Sequence, residues 1–194
     1  VKKVLWIYFE GNDLDDLNRE IENKILKNYL TNLKFTQNLR AKQKKIDNLT
    51  RNTIEKDYIK SFRLIKLTEV RKKIKNLLAQ KKINITDENE IIVRNNKIKE
   101  ILKLTKDLTI KNNSKLYFIY LPNYYRYKNK QDNSNYNLIK NIVTELEIPF
   151  IDVDSEVFQN EQNPLKLFPF SLNGHYNVEG YRKVSKIIYK FTKD

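Results

Sequence analysis

Apolar residues along the chain fall into two rhythms. Lys3–Glu10 (Lys-Val-Leu-Trp-Ile-Tyr-Phe-Glu), Lys115–Leu121 (Lys-Leu-Tyr-Phe-Ile-Tyr-Leu) and Pro149–Asp154 carry short, unbroken apolar runs. Such runs, β-branched and aromatic and bounded by polar or breaking residues, read as buried strands over residues 3–10, 115–121 and 149–153. Elsewhere the apolar positions recur at helical spacing. Leu17, Ile21, Ile25, Tyr29, Leu30 and Leu33 form one face that runs to about residue 34, with Asp13 and Asp16 offering cap chemistry at its start. A looser stripe from Ile46 to Leu78 predicts a helical tract over residues 36–82, with a bend near 61–68. Ile83 to Glu90 reads as a loop or a short strand. Further helices are predicted over residues 91–110, 135–146 and 178–192, the last with Val184, Ile187, Ile188 and Phe191 on one side. Residues 123–134 and 155–174 read as loops.

Strand, long helical stretch, strand, helix, strand, loop, helix is an order that needs crossover connections. It predicts an α/β fold with a parallel sheet covered by helices. In such sheets, sites form outside the carboxyl ends of the strands. Glu10-Gly11-Asn12-Asp13, Pro122-Asn123-Tyr124 and Asp152-Val153-Asp154 all fall there, and the loop around residue 175 follows the last strand closely enough to reach the same edge.

Composition narrows the chemistry. At 40% hydrophobic residues the chain folds rather than staying disordered, and 194 residues suit one domain, with residues 15–90 as a helical insertion. No apolar run approaches the roughly 20 residues of a membrane span. There is no Cys and one His, which removes disulfides, thiolate metal sites and multi-His metal centres, and no cofactor is expected. The chain starts at Val and contains no Met, so we expect a fragment of a longer protein. Net charge is +14. Most of the excess is Lys spread along helices, with no nucleic-acid motif. No specific nucleic acid is expected. The basic helices suit contact with an anionic surface, and a nucleic-acid reading would require affinity that falls steeply with salt. The sequence does not fix oligomeric state or location.

The candidate chemistry sits at the two ends. His175, the lone histidine, follows Gly174 in Asn173-Gly174-His175-Tyr176-Asn177 and precedes an amphipathic helix. An imidazole there suits a general base; the bland alternative is a surface histidine near the helix start. Asn12, in Gly11-Asn12-Asp13 after the first strand, has an uncharged amide that can donate to an oxyanion; a turn residue is the alternative. Asp13 suits a cap or loop brace.

These blocks resemble the SGNH (GDSL-type) hydrolase family. Gly11-Asn12-Asp13 looks like its oxyanion block, although Glu10 stands where the family Gly would be. Asn173-Gly174-His175-Tyr176-Asn177, with Gly180 and a helix after it, looks like its final block. The resemblance covers residues 3–14 and about 91–194. It implies a flavodoxin-like three-layer α/β/α sandwich whose first strands precede Val1. It also implies an esterase or O-acyltransferase acting on acyl esters, such as O-acetylated glycans or lipids, with a Ser nucleophile upstream of this chain. None of the six serines here lies in nucleophile context. The acid that would orient His175 stays open among Asp154, Asp152, Glu179 and Asn173; an Asn in that role lowers turnover about 10⁴-fold in a serine-protease triad. The alternative is a non-catalytic binding or scaffold module of the same fold with a degenerate triad.

Overall fold

The computed structural model describes residues 1–64, 88–130 and 134–193. Three strands form one parallel sheet in the order β1 (Lys3–Phe9), β2 (Lys115–Leu121), β3 (Phe150–Asp152). Register sets Trp6 beside Phe118 and Tyr8 beside Tyr120, then Phe118 beside Phe150 and Tyr120 beside Asp152. The alternation of a strand sorts these side chains onto two faces. Tyr117, Ile119, Leu121 and Ile151 point one way, into a core with Phe158, Phe168, Tyr176 and Val184. Tyr8, Leu116, Phe118 and Tyr120 point the other way, toward Leu14, Ile98, Leu102, Ile139 and Val143. Helices therefore cover both faces. α1 (Asp13–Glu20), α4 (Glu88–Lys111) and α6 (Ser134–Glu145) lie on the second face, and α8 (Val178–Thr192) on the first.

β2 is central and buried at every position after Lys115. Full burial of one such side chain stabilises by roughly 1.5–3 kcal/mol. On the second face the rings of Tyr8, Phe118 and Phe150 stack at centroid distances of 5.6 and 5.8 Å. β1 is an edge strand, and Leu5 and Ile7 on it stay 42% and 47% exposed.

The chain divides into two compact units. One is Val1–Leu30 with Asn89–Asp194, and the other is Thr31–Glu88. In the second, a 3₁₀ turn (Arg40–Lys42) leads into α3 (Gln43–Leu64). The bend expected at residues 61–68 and the loop expected at 83–90 lie mostly outside the described residues; Glu88 already begins α4.

Several local expectations are corrected. The first helical face does not run unbroken to residue 34. It breaks at Ile21–Asn23, because the Asn23 side chain accepts from the amides of Ile25 and Leu26 and caps a new helix, α2 (Lys24–Thr31). The stretch expected as loop after Pro122 contains α5 (Tyr124–Lys128), capped by Asn123 on the amides of Tyr125 and Arg126 at 2.8 and 3.2 Å. β3 ends at Asp152, whose side chain caps α7 (Val153–Glu156). Residues 155–174 are not featureless either. They hold 3₁₀ turns at Phe158–Asn160, Pro164–Leu167 and Pro169–Ser171.

Candidate functional site

The carboxyl ends of the three strands carry a connected polar cluster. Glu10, the first residue past β1, turns its side chain inward until only 1% of it is exposed. Its carboxylate accepts from Arg126 Nη2 at 2.6 Å and from the Asn123 amide at 2.8 Å. Arg126 also donates to the Tyr120 hydroxyl at 3.2 Å and stands 3.5 Å from Asp154 Oδ2. Its guanidinium lies 5.3 Å from the centre of the Tyr136 ring. Asp154 accepts from the Tyr127 hydroxyl at 2.6 Å and from Gln159 at 3.1 Å. Asp152 accepts from the Tyr136 hydroxyl at 2.5 Å.

Charge and burial fit together here. Burial opposes the Arg126 cation, but the hydrogen bonds and charge of Glu10 carry its pKa above the ordinary arginine value. Burial also raises the Tyr127, Tyr120 and Tyr136 hydroxyls, reinforced by Asp154, Glu10 and Asp152 respectively. All three stay protonated and donate. The result is a hydrogen-bonded brace that links the loops after β1, β2 and β3.

The His175 loop is built on that edge by its neighbours in sequence. Tyr176 is buried and its hydroxyl donates to the Pro122 carbonyl at the end of β2. Asn177 caps α8, accepting from the Gly180 amide at 2.9 Å, while its own amide group donates to the Lys166 carbonyl at 2.7 Å. Gly180 is needed for space: a Cβ there would lie 2.8 Å from the Leu167 carbonyl oxygen. The spacing His175-Tyr176-Asn177-x-x-Gly180 is thus an anchor, a cap and a close contact in a row. Together they leave His175 exposed, with its ring 5.4 Å from that of Phe9 at the end of β1.

The same Phe9 ring lies over Gly11, where an added Cβ would come within 2.4 Å of it. Asn12 is exposed at the cap of α1, and its amide donates to Asp16 at 2.5 Å. Asp13 is half-buried and accepts from the Phe9 amide at 2.9 Å. Burial raises its pKa, and that hydrogen bond partly offsets the shift. So the structure brings the His175 loop onto the β1 corner that carries Gly11, Asn12 and Asp13.

The four candidate acid partners fare differently. Asp154 and Asp152 are committed to the brace. Glu179 pairs with Arg182, and Asn173 is exposed in the loop. Among the described residues no hydrogen bond joins His175 to a carboxylate. Backbone strain lies nearby: Phe170 and Ser171 both adopt positive φ, at 53° and 54°, and Phe170 is 94% exposed. For a bulky residue this conformation is an outlier. No cluster among the described residues has the acidic or imidazole groups to hold a metal ion.

Sequence reasoning did not assign roles to Arg126, Phe9 or Tyr176. Glu10 is expected at the carboxyl edge of the sheet and departs from the family pattern, but no partner for it is predicted. An acid placed directly after an apolar strand was the available signal that a cationic partner waits in a neighbouring loop. Comparison of the chain with family models, curated proteins and solved structures finds no match.

Proposed function

We propose that this chain is the C-terminal part of an SGNH-like, flavodoxin-type domain that hydrolyses or transfers acyl esters. The observation that supports the reading is the seat of His175 against Phe9, whose ring also lies over Gly11, the residue before Asn12. In this mechanism a serine from outside these 194 residues attacks the ester carbonyl. His175 accepts the serine proton and returns it to the leaving alkoxide. Asn12 swings its amide from Asp16 toward the oxygen that becomes anionic, a contact worth about 2.7–4 kcal/mol in the transition state. Water then accepts the acyl group in hydrolysis, or a sugar hydroxyl does so in transfer. The family resemblance suggests O-acetylated glycans and lipid esters as the substrate classes.

Labelling the whole protein with a fluorophosphonate, then mapping the modified peptide, tests this reading. A labelled serine is the expected result, and His175→Ala should lower turnover of a small aryl acetate by at least about 10²-fold. A folded protein that takes up no label would overturn it. A second reading, a scaffold that keeps the fold without catalysis, has its own support. Among the described residues no carboxylate is hydrogen-bonded to His175, and Asp152, Asp154 and Glu179 are each engaged elsewhere.

A further inference from the structure

Charge is not shared evenly between the two units. Residues 31–88 hold sixteen Lys and Arg against six Asp and Glu, so ten of the fourteen excess positive charges lie in Thr31–Glu88. Within its described side chains, Lys34, Arg40, Lys42, Lys44, Lys45 and Arg51 are all exposed, against only Asp47 and Glu55. The ion pairs among the described residues all lie in the other unit, so none of these six cations is neutralised by one. Interspersed with them are aliphatic side chains open to solvent: Leu33 at 59%, Leu39 at 51%, Leu49 at 58% and Ile54 at 62%. Lys45 and Leu49 stand four residues apart on α3, on the same side of the helix.

We propose that the surface of residues 31–55 docks on an anionic lipid bilayer. Exposed lysines act as point charges above anionic headgroups, and scattered aliphatic tips enter the boundary between headgroup and acyl chain. Nucleic acid fits less well. Single strands are held by exposed aromatic rings, and the one aromatic residue in 31–55, Phe35, is half-buried. Base reading in a duplex favours the forked guanidinium of Arg, whereas four of these six cations are Lys. Among the described side chains of α3, the exposed Leu49 and Ile54 lie five residues apart, more than a third of a turn around the helix. Attachment is therefore led by charge and is sensitive to salt. This proposal does not rest on the esterase reading.

Co-sedimentation of the whole protein with vesicles tests it. Binding is expected to vesicles of phosphatidylcholine mixed with phosphatidylglycerol, not to phosphatidylcholine alone, and should be released by high salt. Lys42→Gln, Lys44→Gln and Lys45→Gln together should lower the partition coefficient about a hundredfold, at about fivefold per lysine. Circular dichroism identical to the parent would show that the helices persist. Failure to bind the anionic vesicles, equal binding to both vesicle types, or unchanged binding by a folded triple variant would overturn the proposal. So would tighter binding to an oligonucleotide than to anionic vesicles. Serine labelling, read on the same samples, is unaffected by any of these outcomes.

Discussion

The sheet unit and the Thr31–Glu88 unit use the same alphabet to opposite ends. In the first, aromatic and aliphatic residues sit in two clusters on either side of β2, and even charged groups are drawn inside and paired. In the second, residues 31–55 leave nearly every side chain in water, the aliphatic ones included. The difference shows what a helix can rest on. α8 is held by a cap, a close glycine contact and buried Val184. α3 has 22 residues, and its described side chains, residues 43–55, are nearly all exposed. Order in the first unit comes from burial; in the second, chemistry is displayed at the surface.

The largest effect should come from breaking the buried ion pair that marks the first unit. Arg126→Ala leaves the Glu10 carboxylate without its main counter-charge in a site where its side chain is 1% exposed. A loss of about 3–5 kcal/mol is expected on urea unfolding. The double variant Glu10→Gln with Arg126→Met should be less unstable than Arg126→Ala alone, since of the two buried carboxylates beside Arg126 only Asp154, which keeps its Tyr127 and Gln159 donors, then lacks a counter-charge. Equal losses in the two proteins would show that the brace acts through packing rather than charge.

A middling effect is expected at Gly180. An alanine there meets backbone, the Leu167 carbonyl, rather than the tip of a mobile side chain. About 1–3 kcal/mol of destabilisation follows from such overpacking. In the proposed mechanism turnover falls further than stability does, because the same contact seats the His175 loop. Gly11→Ala is a useful counterpart. There the clash is with the far end of the Phe9 ring, which can rotate away, so stability should change less while the His175 seat is disturbed.

How much of this was legible beforehand depended on the kind of signal. The three strands stood out because their apolar runs are short, unbroken and flanked by breakers, and their parallel pairing followed from the helices between them. The short helices α5 and α7 were missed although Asn123 and Asp152 are strong cap residues, because helices of four or five residues leave no periodicity to read. Asn23 likewise hid a helix break inside a continuous apolar stripe. At the site, His175 and Asn12 were visible as types in context. Their supports were not, since Glu10 finds Arg126 across 116 residues of sequence, a distance no local pattern records.

Asp13 offers a smaller and differently shaped test. Its pKa is raised mainly by burial, so the folded state holds the proton more tightly than the unfolded one. That contribution to stability is complete below the unfolded carboxylate value and is lost as pH rises through the folded one. Asp13→Asn keeps an acceptor for the Phe9 amide and carries no charge. It should therefore match or slightly exceed the parent at neutral pH and lack this component of the acid dependence, measured by urea unfolding across the carboxylate range. A clear loss at neutral pH would mean that the carboxylate charge itself holds the corner, through the positive end of α1.

The smallest effect is the most diagnostic for the second unit. Leu49→Ala removes a side chain that is 58% exposed, in a helix where alanine is at least as favourable as leucine. Stability in water should stay within about 0.5 kcal/mol of the parent. Partition onto anionic vesicles should fall, because only there does the leucine lose its contact with water. The two measurements pull apart the roles that one apolar residue can have. A loss of stability without a loss of vesicle binding would place Leu49 in a core and erase the contrast between the units; the reverse pattern would make it a surface residue whose apolar character serves a partner rather than the fold.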